Sequence, residues 1–166
     1  MVTNRMNSLL EKYSLRIAAF DPGGTTGVAT YWKSRQVVES DNVTDRIVST
    51  QTIVLSEYKT FTETDGFVRI ADVVIYERPF LTVSVDPIVF EVTGSIKECA
   101  YRHDTSIVVA QPAETPKFIW HRYQLDGIII GSQHRKDAFC HLMKYLLGLG
   151  LAADDIIDMI ANPKGD

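Results

Sequence analysis

The sequence contains little of what marks zinc-binding, disulfide-stabilised or membrane-spanning proteins. Only two of its 166 residues are cysteines, Cys99 and Cys140, and neither a CxxC pair nor a Cys/His cluster suggests a zinc site. Each cysteine lies in an apolar helical pattern, which predicts two buried free thiols. No apolar run approaches the roughly 20 residues that cross a bilayer. The N-terminus lacks the continuous apolar core of a signal peptide, so we expect a cytoplasmic protein without a membrane partner.

The chain also lacks the excess of basic residues that nucleic-acid-binding proteins usually carry. Its 17 lysines and arginines are outnumbered by 21 aspartates and glutamates, and the formal net charge is −4. Part of this acidity has a specific explanation, because Asp21, Glu77 and Asp137 are candidates for a metal site whose ions would offset it. Further acids lie in the C-terminal tail, at Asp154, Asp155, Asp158 and Asp166. The net charge therefore does not exclude a nucleic acid partner.

The order of the predicted elements indicates one α/β domain over residues 1–166. Its composition, 45% hydrophobic and 23% charged, is ordinary for a globular protein. Early strands joined by tight turns, followed by alternating strands and helices, are typical of a mixed sheet. The predicted strands are 15–20, 27–32, 47–54, 72–76 and 106–110. The predicted helices are one within 57–70 and those at 87–101, 114–120, 133–147 and 152–161, with an N-terminal arm at 1–14 and a C-terminal helix and tail at 151–166.

The segment from Phe20 to Thr25 carries the first chemical signal. Asp21 ends a strand, and the glycine turn that follows leaves the backbone open to a phosphate or a metal ion because glycine has no Cβ atom. Gly23, Gly24 and Thr25 are therefore candidates for substrate contact. Asp-Gly turns are also common in ordinary hairpins, so this segment alone leaves its function open.

Further candidate ligands follow along the chain. Glu77 ends a strand of buried character, where a charge is paired, metal-bound or just past the sheet in solvent. His134 and Asp137 are spaced i, i+3 on a helix, so their Cβ atoms lie roughly 5–6 Å apart and both side chains can reach one ion. Asp137 could instead stabilise the positive end of the helix. His141, two turns after His134, is expected in the core or behind the site.

Three carboxylates and an imidazole suit a hard divalent cation, Mg²⁺ or Mn²⁺, better than zinc. Two such ions about 3.5–4 Å apart can activate a water and stabilise the leaving oxygen of a phosphodiester.

Taken in order, these motifs resemble the RuvC-type Holliday junction resolvases of the ribonuclease H-like superfamily. The similarity runs from Leu15 to Leu147 at motif level, in the blocks 17–27, 74–80 and 134–138. It implies a ribonuclease H-like mixed sheet, with antiparallel first strands and then parallel ones, flanked by helices. It also implies a homodimeric endonuclease that hydrolyses DNA phosphodiesters at four-way junctions or other branched DNA, with two Mg²⁺ or Mn²⁺ ions per site. Divergent members of this size suggest a phage origin, and hence the host cytoplasm.

The resemblance implies roles for further residues. Phe80 matches an aromatic that presses against bases, although it could also be a hydrophobic plug beneath the Pro79 turn. Lys117 matches a basic residue near the scissile phosphate, although an ordinary solvated lysine is an alternative. The helix at 87–101 matches one that takes part in dimerisation. The chain departs from the family at 81–86, which lacks its basic and amide residues, and between Lys117 and His134.

Two other functions remain open from the sequence. The actin-like and sugar-kinase superfamily also uses an Asp-x-Gly-Gly-Thr phosphate loop, but its members bind nucleotide between two such domains, and this length supplies one. A RuvC-like module kept only for binding DNA or protein is the other alternative. His134, if neutral, could act as the base for the attacking water instead of as a ligand.

Overall fold

A five-stranded mixed sheet organises the part of the chain that the computed structural model describes, residues 14–38, 46–59, 61–79 and 85–162. The strands are β1 (Ser14–Asp21), β2 (Thr26–Val38), β3 (Arg46–Tyr58), β4 (Val73–Arg78) and β5 (Ile107–Pro112), in the spatial order β3-β2-β1-β4-β5. The pairs β1–β2 and β2–β3 are antiparallel, whereas β1–β4 and β4–β5 are parallel. This arrangement confirms the predicted α/β fold class, with antiparallel first strands followed by parallel ones.

Five helices in these residues flank the sheet: α1 (Phe61–Arg69), α2 (Pro87–Arg102), α3 (Thr115–Tyr123), α4 (Gln133–Gly148) and α5 (Ala153–Ala161). Side-chain caps that were readable in the sequence start two of them. Asp86 accepts a hydrogen bond from the Ile88 amide at 3.1 Å, and Ser132 accepts one from the Arg135 amide at 3.3 Å. The helix predicted within 57–70 is confirmed as α1. Residues 125–130, whose type the sequence left open, form turns.

Each face of the sheet packs against its own helices, because neighbouring residues of a strand point to opposite faces. In β1, Leu15, Ile17 and Ala19 belong to the core that also contains α4 side chains such as Phe139 and Leu142. Ala18 and Phe20, which alternate with them, belong to the core shared with α2. The same alternation in β4 assigns its odd-numbered residues to the α4 side. Asp21 and Glu77 continue these odd-numbered rows, so strand parity directs both carboxylates toward α4.

Several smaller expectations can be compared with the structure. Cys99 and Cys140 are buried and free, as predicted. None of the described helices is both long enough and apolar enough to cross a membrane. The predicted N-terminal arm, apart from Ser14, and the aromatic side chain of Phe80 lie outside the described residues.

Candidate active site

The carboxyl ends of the three parallel strands form the floor of the site. Asp21 is the last residue of β1, and Phe20, the residue before it, pairs with Tyr76 of β4. Glu77 follows Tyr76 and pairs in turn with Gln111 of β5. Since parallel strands end at the same edge of a sheet, the carboxylates of β1 and β4 and the amide of β5 lie side by side.

The first turn of α4 rests directly on β2 at Gly27, which pairs with Asp21 in register. A Cβ atom at Gly27 would lie 1.9 Å from the His134 carbonyl oxygen and 2.3 Å from its carbonyl carbon. Only glycine allows this approach, because any side chain would collide with helix backbone that cannot move independently. The glycine after the Asp21 turn thus determines how closely His134 comes to Asp21.

Asp21 and His134 form the central contact of the site. His134 Nδ1 lies 2.7 Å from Asp21 Oδ2, although 113 residues separate the two in sequence. Asp21 is only 7% exposed. The pKa of Asp21 is raised from its ordinary 3.8 to about 7, mainly by burial and to a smaller extent by the charges of Glu77 and Asp137, against the bond to His134, which lowers it. The surroundings of Asp21 therefore disfavour its ionised form, even with His134 in contact.

Glu77 is held by a buried pair of side chains. Its Oε2 lies 3.1 Å from Nε2 of His141, a residue with no exposed surface. The Gln111 amide nitrogen donates to the His141 carbonyl oxygen at 3.2 Å, so the amide oxygen faces His141 Nδ1, at 2.9 Å. Nδ1 must then donate to Gln111, and the contact between Nε2 and Glu77 is a hydrogen bond only when one of those two groups carries a proton. This chain of contacts fixes the Glu77 carboxylate from behind.

Asp137 completes the group of carboxylates. It accepts a hydrogen bond from the Gln133 side chain at 2.7 Å. Partial burial raises its pKa, and Glu77 raises it too, whereas the bond from Gln133 and the two nearby histidines lower it. Asp21, Glu77 and Asp137 thus repel one another electrostatically, as expected when like charges share a site.

The chemistry of this donor set fits a divalent cation. Among the described residues, no three His, Cys, Asp or Glu side chains converge closely enough to form a ready-made metal cage. Instead, Asp21 and Glu77 each contact a histidine nitrogen, and Asp137 accepts a hydrogen bond from a glutamine. A hard cation prefers carboxylate oxygens, and its charge would relieve the repulsion among the three acids. Each histidine contacts only one oxygen of its carboxylate, Oδ2 of Asp21 and Oε2 of Glu77, so the other oxygen of each could bind an ion.

The other candidate residues occupy the surroundings of this group. A Cβ atom at Gly23 would lie 3.5 Å from Cε1 of His134, so the turn after Asp21 borders the site. Gly24 is exposed and Thr25 half-buried. Lys117 is exposed on α3 and lines a groove of about 930 Å³ that Asp137 also lines.

Sequence reasoning missed several residues that shape the site. Gln111 and Gln133 were not singled out, and His141 was assigned only to the core or the region behind the site. The odd-numbered row Ile107, Val109 and Gln111 could have signalled the first, because a polar residue there must find a partner inside the protein. Thr26, whose hydroxyl donates to the Gly23 carbonyl oxygen at 3.1 Å, stabilises the turn and was also missed.

No protein-family model matches this chain, and no curated protein matches its sequence. Similar solved structures include Thermus thermophilus RuvC in complex with Holliday junction substrate, which is 14% identical, with 82% of this chain matched to 96% of that one at a TM-score of 0.47. The Fowlpox virus resolvase with its Holliday junction DNA is 13% identical, with 80% of this chain matched to 99% of that one at a TM-score of 0.45.

Proposed function

We propose that this chain is a metal-dependent endonuclease that hydrolyses DNA phosphodiesters at Holliday junctions or other branched DNA. One observation carries the proposal: a buried aspartate at the end of a central strand, surrounded by two further carboxylates and a histidine. A protein that only needed stability would gain by replacing such a charge, because burying like charges together is unfavourable. The group is best explained by a positively charged ligand.

Asp21, Glu77, His134 and Asp137 would hold one or two Mg²⁺ or Mn²⁺ ions. A divalent ion bound there supplies a nucleophilic water at neutral pH and stabilises negative charge on the phosphate and the leaving oxygen. The oxygen-rich ligand set favours these hard ions over zinc.

The side chains of the chain itself would orient the reactants. Asp21 holds the His134 ring through Nδ1, and the His134 side chain is 43% exposed. Alternatively, if neutral His134 does not bind an ion, it would accept a proton from the attacking water through Nε2. His141 and Gln111 keep the Glu77 carboxylate from turning away, and Lys117 would offer a positive charge to the phosphate.

The preference for branched DNA rests on the motif resemblance. A four-way junction has two-fold symmetry, and two cuts on opposed strands require two sites, so the proposal includes a homodimer. The face of α2 is a candidate interface, because Phe90 and Tyr101 are 44% and 88% exposed on it.

The test is cleavage of a labelled synthetic four-way junction in Mg²⁺ or Mn²⁺. Wild type should produce paired nicks that disappear in a chelator. Asp21→Asn and Asp137→Asn should each reduce the cleavage rate by more than about 10- to 100-fold, which is the loss typical of residues that support metal ligands from behind. Asp65→Asn is the matched control, since this carboxylate lies on α1 and bonds His103 at 2.7 Å.

Binding of the junction without cleavage in any divalent ion would replace the proposal with a binding module. If wild type neither binds nor cuts, the branched-DNA substrate is wrong, and nucleotide binding becomes the next measurement.

A further inference from the structure

A groove beside the candidate ligands carries both positive charge and exposed aromatic surface. It runs between α3 and the first turns of α4, has a volume of about 930 Å³, and reaches Gln133 and Asp137. Its lining includes Phe118 and Trp120 of α3 together with Arg122 and Lys136. None of these residues takes part in the group of carboxylates and histidines described above.

The cations of the groove lie against aromatic rings. The Arg122 guanidinium carbon is 5.8 Å from the centre of the Phe118 ring, and Lys136 Nζ is 5.3 Å from that of Trp120. Neither cation forms an ion pair with a carboxylate in the described ranges of the chain. Trp120 is anchored by a hydrogen bond from its indole nitrogen to Asp126 at 2.8 Å, whereas Phe118 is 58% exposed.

We propose that this groove binds an unpaired stretch of the DNA strand next to the scissile phosphate, with a base stacked on Phe118 and the backbone on Arg122 and Lys136. The proposal rests on the proposed function and adds where the strand lies. Unpaired cations beside an exposed ring match nucleic acid, which presents phosphates and flat bases in alternation. The acids Glu114 and Asp126 also line the groove, but Asp126 is occupied by Trp120.

The size of the groove favours a single strand over a duplex. Its volume lies in the range of about 300–1,000 Å³ that holds ligands of drug size, which corresponds to a few nucleotides. A B-form duplex, whose major groove alone is about 12 Å wide, does not fit such a space. Asp137 also lines the groove, so a strand in it would pass beside one of the candidate metal ligands.

The experiment measures binding of a short labelled single-stranded oligonucleotide and of the four-way junction in a chelator, where no cleavage occurs. Phe118→Ala should weaken binding of the single strand by about 5- to 150-fold, the range expected for loss of one stacked base. Phe118→Tyr should retain it. Arg122→Ala should lower the slope of log affinity against log salt by about 0.7, because one phosphate contact is lost.

Trp32→Ala is the matched control. Trp32 is 49% exposed on β2 and lies beneath Arg16, whose guanidinium carbon is 4.8 Å from the ring centre. Arg16, the cation of this pair, lies five residues along β1 from Asp21, about 17 Å at the usual rise of a strand. Trp32→Ala should therefore change the affinity for DNA by no more than about twofold.

If Phe118→Ala binds the single strand as tightly as Trp32→Ala does, the groove proposal is wrong. This holds even if wild type cuts junctions and Asp21→Asn does not. A Phe118→Ala variant that binds DNA normally but changes the dimerisation constant would overturn it in favour of a protein interface. Conversely, stacking on Phe118 in a protein that cuts nothing would leave the groove proposal intact and remove the nuclease. Absence of any binding by wild type would remove both.

Discussion

Replacing Asp21 with asparagine tests the electrostatics of the site without reference to any activity. Burial and the neighbouring carboxylates raise the pKa of Asp21 from 3.8 to about 7. In the unfolded chain this group is ionised above about pH 4, whereas the folded protein keeps it protonated until about pH 7. Folding therefore takes up a proton between these values, and the contribution of Asp21 to stability falls as the pH rises through this window. Above about pH 7 the loss is complete.

The size of the effect of Asp21 on the free energy of unfolding follows from the same pKa. Each pKa unit corresponds to about 1.4 kcal/mol, so ionised Asp21 lowers the free energy of unfolding by about 4 kcal/mol near pH 8. Near pH 5 the loss is only about 2 kcal/mol, because the folded protein still holds the proton. Total stabilities of about 5–15 kcal/mol make this a large effect. Asparagine has a similar shape and no charge, so Asp21→Asn should recover most of it.

The assay is urea unfolding in a chelating buffer at the two pH values. Asp21→Asn should unfold at higher urea than wild type near pH 8, with a gap that narrows toward pH 5. The control is Asp65→Asn: a hydrogen bond to His103 lowers the pKa of Asp65, so removing this carboxylate should bring no gain at either pH. A saturating divalent ion should stabilise wild type by about 2.7 kcal/mol at one hundred times its Kd, and the variant much less.

The reasoning is refuted if Asp21→Asn is no more stable than wild type near pH 8, or if the gap is the same at both pH values. Either result would mean that the carboxylate is not destabilised by its surroundings. The electrostatics of Asp21 would then no longer indicate that a cation binds at this site.

Two further substitutions test the contacts that build the site. Gly27→Ala should lower the free energy of unfolding by more than the about 1–3 kcal/mol of ordinary overpacking, because its Cβ atom would lie 1.9 Å from the His134 carbonyl oxygen. A Gly27→Ala variant with wild-type thermal stability would contradict this close approach. Gln111→Leu leaves His141 Nδ1 and its carbonyl oxygen without their partner, which should lower stability by about 1–3 kcal/mol. The same variant should slow cleavage at saturating junction through Glu77, with substrate binding unchanged, and full turnover would argue that Gln111 serves the core alone.

The sequence by itself determined the elements and the candidate ligands. Alternating and helical patterns are local, so β1, β4, β5 and the helices α2 and α4 could be predicted to within about two residues, whereas β2 continues to Val38, beyond its predicted end at residue 32. The caps at Asp86 and Ser132 were readable because capping depends on residues only two or three positions apart. The i, i+3 pair His134 and Asp137 was recognisable for the same reason. The mixed α/β class followed from the order of these elements.

The tertiary structure decided which side chains meet. Strand order and parallel register bring Gln111 beside Glu77. Local patterns do not predict strand order or register, because residues far apart in sequence determine both. The close packing of α4 on Gly27 brings His134 to Asp21 across 113 residues. The raised pKa of Asp21 arises from this assembly, since burial and neighbouring charges exist only once the sheet and α4 have packed together.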